Sequence, residues 1–283
     1  MPVTVVVATR NRCSSLVSVL ERLRALPERP PIVVVDNGSS DGTQDSVRRR
    51  FPDVRLICLD RNAGAAARSI GARDVSTPYV AFSDDDSWWL PGSLPRAVAL
   101  LDRYPWLALV AARILVGTDL KEDATCAAMA GSPLESAFPL PGRPVLGFIA
   151  CAAVLRRSAF LEVGGFHERL GVGNEEQLLA LDLAQAGWSL AYVPEVVARH
   201  DPHTSRDPLR RRRDVARNTL WIGWLRRPLT GALRSTMQVV RQAFRDPSAR
   251  AGLVAGIRGL GWVLRERRPT SHALEQALRK VEP

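Results

Sequence analysis

Val3-Thr4-Val5-Val6-Val7-Ala8, with the polar turn Thr9-Arg10-Asn11-Arg12-Cys13-Ser14 directly behind it, is the stretch on which the reading of the chain depends. An almost unbroken β-branched run has no polar face, so it suits a strand covered on both sides, as in a parallel sheet. Leu16, Val19, Leu20, Leu23 and Leu26 then recur at helical spacing. Pro27 to Pro31 ends that helix. The same succession follows downstream: a strand at Ile32–Val35, a helix ending near Phe51-Pro52, a strand at Val54–Leu59, an Ala-rich helix over Gly64–Asp74, and a strand at Tyr79–Ser83. Strand and helix alternating through short loops predict a doubly wound α/β sheet. In such sheets ligands bind beyond the carboxyl ends of the strands. The polar clusters at 9–12, 36–42 and 84–86 all fall at such ends, so one site built from three strand termini is expected.

Further along, Leu94–Leu101 and Glu175–Ala186 read as helices, and Trp106–Val116 and Phe148–Arg156 as strands. Trp188–Val193 reads as a short strand ending at Pro194, and Gly164-Gly165-Phe166 as a turn. Residues 117–144 hold Gly, Pro and Ala without a period and read as a loop over the site. From Asp207 the pattern is helical, rich in arginine and dotted with tryptophan.

The 283 residues suffice for one large α/β domain with an extension, and a hydrophobic fraction of 46% argues against disorder along the chain. The net charge of +10 is concentrated at one end: from Arg199 onward there are 19 basic and 7 acidic residues. A basic tail on a near-neutral body points to an anionic partner or to a solvated face. Cys13, Cys58, Cys126 and Cys151 show no C-x-x-C spacing, so neither a zinc ribbon nor a redox motif is indicated, and reduced thiols fit. No signal peptide and no apolar run near the roughly 20 residues of a spanning helix is visible. A cytoplasmic protein is expected, one still able to sit peripherally on the inner face of the cell membrane.

Three clusters carry chemistry. Asp84-Asp85-Asp86 sets three repelling carboxylates after a strand, which makes sense with a divalent cation, Mg²⁺ or Mn²⁺, or as an acidic turn capping the next helix. Asp36-Asn37-Gly38-Ser39-Ser40-Asp41-Gly42-Thr43 is either a plain turn with a helix cap or a loop whose Asp accepts from a base or a ribose. Glu175-Glu176, after Gly171-Val172-Gly173-Asn174, either complements a helix dipole or supplies a general base.

Taken together, these segments resemble family 2 glycosyltransferases. Val5–Arg12, Val34–Thr43 and Asn62–Arg68 are similar to the nucleotide-binding half of that family. Phe82-Ser83-Asp84-Asp85-Asp86 with Trp88-Trp89-Leu90-Pro91-Gly92 resembles its DXD segment, and Gly164-Gly165-Phe166 followed by Glu175-Glu176-Gln177-Leu178-Leu179 its acceptor-side motif. The resemblance spans about residues 3–200 in family order. It implies a GT-A fold: a Rossmann-like, mostly parallel central sheet with flanking helices, here followed by a C-terminal helical extension. It divides the chain into a catalytic domain over 1–203, with nucleotide-sugar (1–93) and acceptor (94–203) halves, and an extension over 204–283.

The roles implied follow by position. Asp36 would contact the nucleobase, with Thr9, Arg10, Arg12 and Asn37 beside it. Arg68 would lie near the diphosphate, and Asp84 and Asp85 near the ribose. Asp86, with Asp84 and His200, would hold the metal. Trp88, Trp89 and Gly165 would lie on the acceptor side. Many members carry Glu-Asp with the Asp as base; Glu175-Glu176 puts a Glu on that position, and Glu176 or Glu175 would deprotonate the acceptor. The implied reaction is inverting transfer from a nucleotide-diphosphate sugar to a glycan, lipid-linked or small-molecule acceptor.

In the basic tail, Arg206, Arg210–Arg213 and Arg217 precede Trp221 and Trp224, and Leu220, Trp221, Trp224 and Leu225 share a helical face. That face suits either an anionic membrane surface or packing back on the catalytic domain. No nucleic-acid recognition motif accompanies the charge, so no nucleic acid is expected. Two rivals remain at this point. A nucleotidyltransferase would need a glycine-rich phosphate loop, and Ala8–Ser14 has no glycine. A degenerate GT-A scaffold would have lost the acidic triad or the Glu pair, and both are present.

Overall fold

The computed structural model of the chain describes residues 1–202 and 207–282. His203 and Arg206, and the boundary expected after residue 203, lie outside the described residues. In chain order the first half runs β1 (Val3–Thr9), α1 (Cys13–Arg24), β2 (Ile32–Asp36), α2 (Thr43–Arg50), β3 (Arg55–Cys58), α3 (Ala66–Asp74), β4 (Tyr79–Asp84) and β5 (Ser87–Trp89). The second half runs α4 (Ser93–Arg103), β6 (Leu107–Val116), β7 (Lys121–Glu122), α5 (Ala124–Ala130), β8 (Arg143–Pro144), β9 (Ala153–Arg156), α6 (Arg157–Glu162), α7 (Glu175–Gln185) and β10 (Ser189–His200). The extension is α8 (Pro208–Arg226), α9 (Leu229–Arg245), α10 (Pro247–Arg258), α11 (Leu260–Arg265) and α12 (His272–Val281).

The sheet order is β3-β2-β1-β4-β9-β6-β10-β5, with β7 on β6 and β8 on β10. β1 pairs in parallel with both β2 and β4, and β2 with β3. β9 is antiparallel to β4 and to β6, and β10 is parallel to β6. β6 and β10 therefore point the same way as β1, β2 and β4. The carboxyl ends of the long strands open on one edge, and that orientation brings His200, at the end of β10, toward Asp84 at the end of β4. Val3, Val5, Val6 and Val7 are wholly buried, as a strand covered on both faces requires.

The second half departs from its sequence reading in three places. Residues 117–144 contain β7, α5 and β8, α5 being capped by the Asp123 carboxylate accepting from Thr125 N–H at 2.8 Å. The strand expected from Phe148 begins only at Ala153, after a 3₁₀ turn over Ala150–Ala152. β10 does not stop at Pro194: the register shifts between Val193 and Val197 and the strand continues to His200. A proline has no N–H for the ladder, and the shift leaves Pro194 and Glu195 exposed while pairing resumes beyond them.

The C-terminal helices are fastened to the sheet domain by an apolar cluster in which Leu170, Leu178 and Leu181 meet Trp221, Ile222, Leu225, Trp262 and Leu278. The tryptophan face of α8 thus turns inward, and Trp221 donates through Nε1 to the Gly256 carbonyl at 2.8 Å. Arg227, at the α8–α9 junction, is 3% exposed and ion-pairs with Glu275 of α12, itself 1% exposed, at 2.8 Å. Glu282 and Ser235 also accept from it. Arg227→Ala would leave the buried Glu275 carboxylate with Arg279 alone, at 3.0 Å, and a loss of about 3 kcal/mol is expected in urea unfolding. Substituting both partners with apolar residues, Arg227→Met with Glu275→Leu, is expected to lose less than the single change.

Candidate active site

The turn after β1 is fixed by its own polar groups. Asn11, at a left-handed φ of 53°, accepts from Ser40 N–H at 2.8 Å and donates its own N–H to the Ser39 hydroxyl at 2.9 Å. Asp36 is fully buried and closes the second loop, accepting from Ser39 N–H at 3.1 Å and the Gln44 amide at 2.8 Å. Asn37 ties that loop to the next, accepting from Ala63 N–H at 3.0 Å and donating to the Gly64 carbonyl at 3.3 Å. Arg10 is exposed and Arg12 half-buried.

At the end of β4 the three carboxylates have separate partners. Asp84 ion-pairs with Arg68 of α3, and its N–H is received by the Ser87 hydroxyl at 2.7 Å. Asp85 accepts from the Thr9 hydroxyl at 2.8 Å and lies 3.7 Å from Arg12. Asp86 lies 3.7 Å from Arg12 and 3.4 Å from His200 Nε2, and its carbonyl accepts from Asp201 N–H at 2.8 Å. Burial, against the Thr9 hydrogen bond but aided by Asp84 and Asp86, pushes Asp85 up to about 7. Arg68 is 8% exposed; burial works against its charge, but Asp84, Glu175 and Glu176 outweigh burial and raise its pKa.

The Glu pair opens α7 opposite this cluster. Glu175 is 4% exposed and accepts from the Gly173 N–H of the loop before it. Glu176 is half-buried, and its Oε1 receives Ala150 N–H at 3.4 Å. Burial raises the pKa of both, Glu175 further through its neighbour Glu176, while Arg68 opposes the rise. Arg68, which ion-pairs with Asp84, also acts on both glutamates through its charge.

The loop that delivers the pair is clamped from two sides, and sequence reading gave no sign of this. Asn218 of α8, wholly buried, donates to the Leu170 carbonyl at 3.0 Å and the Gly173 carbonyl at 2.5 Å. Arg217 adds a bond to the Leu170 carbonyl at 2.7 Å, and Asn174 donates to Thr219 at 2.9 Å. On the other side Ala65 N–H reaches the Gly171 carbonyl at 3.1 Å. A Cβ on Gly64 would come within 2.7 Å of Gly171 Cα, so the contact needs glycine there. A single asparagine in an arginine-rich helix carries no periodic signal, which is why Asn218 escaped.

The acceptor-side residues expected from sequence lie deeper. Trp89 is 1% exposed in β5, which pairs antiparallel with β10, and Trp88 is covered by the Arg22 guanidinium at 4.0 Å. Gly165 sits against α3, where a Cβ would meet the Ser69 hydroxyl at 2.6 Å. Phe166 beside it packs edgewise on Phe160 and at a tilt on Phe82. These residues hold β4, α3 and β10 in place around the polar cluster.

Among the described residues no three His, Cys, Asp or Glu side chains form a ready cage for a metal ion. Asp86 and His200 nonetheless present an oxygen and a nitrogen 3.4 Å apart, near the roughly 3 Å between adjacent positions of an octahedral ion. Mg²⁺-like ions are commonly held by one or two protein groups plus substrate phosphates. The residues present fit that kind of site.

Comparison with known proteins gives the family and the fold. Residues 4–164 match the family described as Glycosyl transferase family 2. The N-acetylglucosaminyl-diphospho-decaprenol L-rhamnosyltransferase of Mycobacterium tuberculosis is 30% identical over 278 residues, covering 82% of this chain and 89% of its own. The O-antigen chain rhamnosyltransferase RfbN of Salmonella typhimurium is 25% identical over 242 residues, covering 82% of this chain and 77% of its own. Among solved structures, S. aureus TarS residues 1–349 with UDP-GlcNAc superposes with a TM-score of 0.61 at 16% identity, over 79% of this chain and 66% of that one. The mannosyltransferase PcManGT from Pyrobaculum calidifontis with GDP-Man and Mn²⁺ gives 0.58 at 21% identity, over 94% and 72%. With a GT-A sheet, polar clusters on its carboxyl edge and a family match across more than half its length, the chain belongs to glycosyl transferase family 2 and is a glycosyltransferase.

Proposed function

We propose that the protein transfers a sugar from a nucleoside diphosphate sugar to an acceptor hydroxyl in one in-line displacement, with inversion at the anomeric carbon. The observation that carries this reading is the meeting of the Asp84–Asp86 cluster, Arg68 and the Glu175–Glu176 pair on one strand edge. Residues 1–203 act as the catalytic domain and 204–283 as an extension that supports it. The loops after β1, β2 and β4 receive the nucleotide, Thr9, Arg10, Arg12, Asp36 and Asn37 lying on its path. Asp86 and His200 would hold a divalent cation, which when bound would supply positive charge beside the departing diphosphate. Arg68 lies where it can add a second positive charge at that point.

Glu176 is the general base. Glu175 is tied to Gly173 N–H and is the more buried of the two, which favours Glu176 for the role. Its proton comes from the acceptor hydroxyl, whose oxygen forms the bond to the anomeric carbon as the bond to the diphosphate breaks. A base works only when ionised, and burial raises Glu176 above the ordinary carboxylate range. The acid limb of kcat/KM is therefore expected above the ordinary glutamate value of 4.5, with activity rising as pH rises through it. A limb at or below 4.5 would remove Glu176 from this role.

The names of the two bacterial relatives support a lipid-linked or polysaccharide acceptor and make rhamnose the sugar to test first. Isothermal titration with UDP, GDP and dTDP, each with and without Mn²⁺, tests the donor site. One nucleotide binding more tightly with the metal is expected. A folded sample that binds none of them would overturn the donor assignment.

A further inference from the structure

With the tryptophans of α8 turned inward, a different face of the extension is left open. On α9, Leu229, Leu233, Met237 and Phe244 are 63%, 57%, 55% and 80% exposed, and Val240 is half-buried among them. At about 100° per residue these five occupy one arc of about 80°, a continuous apolar stripe along the helix. The opposite arc, Gly231, Ala232, Ser235, Val239 and Ala243, is the buried one that packs on the neighbouring helices. Arg234, Arg241 and Arg245, all exposed, flank the stripe along one border.

The charge around the stripe is of one sign. Between Leu229 and Arg265 there are six arginines and one acidic residue, Asp246. Asp246 lies 3.6 Å from Arg212, which places the Phe244 end of α9 beside the exposed Arg210–Arg213 run at the start of α8. α8 begins eight residues after His200, so this end of the stripe is tied closely in sequence to the strand edge that carries the site. Ile257 of α10 and Leu264 of α11 add further exposed apolar side chains, 56% and 52%. Among the described residues no helix is long and apolar enough to cross a membrane.

An exposed apolar stripe bordered by arginines and free of acids matches a surface with apolar depth beneath an anionic layer. We propose that α9 is an in-plane docking helix for anionic lipid bilayers, with Leu233, Met237 and Phe244 entering the acyl boundary and Arg234, Arg241, Arg245 and Arg210–Arg213 meeting phosphate headgroups. A second copy of this chain is the competing occupant, but two such faces would bring like-charged arginine borders together. The surface stands on its own geometry and does not depend on the identity of donor or acceptor.

The test is co-sedimentation of the full chain with phosphatidylcholine vesicles, and with phosphatidylcholine–phosphatidylglycerol vesicles. Binding is expected only to the anionic vesicles, weakening as salt is raised. Leu233→Ser/Met237→Ser/Phe244→Ser should reduce it about ten-fold or more, because each apolar side chain withdrawn removes burial that headgroup charge alone does not replace. Nucleotide titration and circular dichroism of the same variant, whose changes are all on exposed positions, should match the parent. The docking proposal is overturned by absence of vesicle binding, by binding that the triple variant retains, or by a parent dimer that the triple variant turns into a monomer without affecting vesicle binding.

Discussion

Glu176→Gln is expected to lower kcat by about 1,000-fold while leaving nucleotide affinity unchanged, because general-base catalysis commonly contributes 10²–10⁴-fold. The amide keeps the shape and can still accept Ala150 N–H, so the loop and helix should stay in place. What is lost is the basicity of the carboxylate that takes the acceptor proton. Glu175→Gln is the informative contrast. Its carboxylate accepts from Gly173 N–H, a bond an amide oxygen can also accept, and it sits further from solvent. A loss of about ten-fold is expected there, with KM for the acceptor moving as well as kcat, since a group that orients the loop acts on placement. The readout is initial rate against acceptor concentration for both variants. If Glu175→Gln is the more damaging, the assignment within the pair reverses. If neither changes the rate, the base lies elsewhere.

The same pair shows what sequence does and does not disclose. β1, β2 and β4 were legible because they are buried on both faces, and burial on both faces writes an unbroken apolar run. The polar clusters at the strand ends were legible for the same reason, since they interrupt those runs. The rest was less so. β5 is three residues long, and its pairing with β10 depends on a bulge at Pro194 that reads as a strand end. The face formed by Leu220, Trp221, Trp224 and Leu225 was visible as a face, but periodicity names no partner. Only the fold shows that Leu178, Leu181 and Trp262 cover Trp221 and Leu225 while Val239 and Ala249 cover Leu220, leaving the other face of α9 to carry the exposed stripe. The pairing of Asp86 with His200 joins residues far apart in the chain, and without the family resemblance no local pattern links them.

Asp86→Ala is expected to abolish the metal-dependent part of nucleotide binding and to lower the transfer rate by about 1,000-fold or more, since a bound cation supplies several kcal/mol of charge stabilisation. The size follows from the lack of a substitute among the neighbouring carboxylates. Asp84 is engaged by Arg68, and Asp85 by the Thr9 hydroxyl and by Arg12, which it shares with Asp86. Asp86 is 4% exposed and its backbone is fixed by Asp201 N–H at 2.8 Å, so neither neighbour can swing into its place without breaking β4 from its turn. His200 alone keeps one ligand, too few to hold a hard divalent ion that prefers oxygen donors. Asp86→Asn, which retains an oxygen donor but not the charge, should fall between Ala and the parent. Titration of the nucleotide with and without Mn²⁺, beside thermal unfolding of the same samples, separates loss of the ion from loss of the fold. A variant that melts like the parent and still gains affinity on adding Mn²⁺ would move the cation away from Asp86, and the DXD reading of this turn with it.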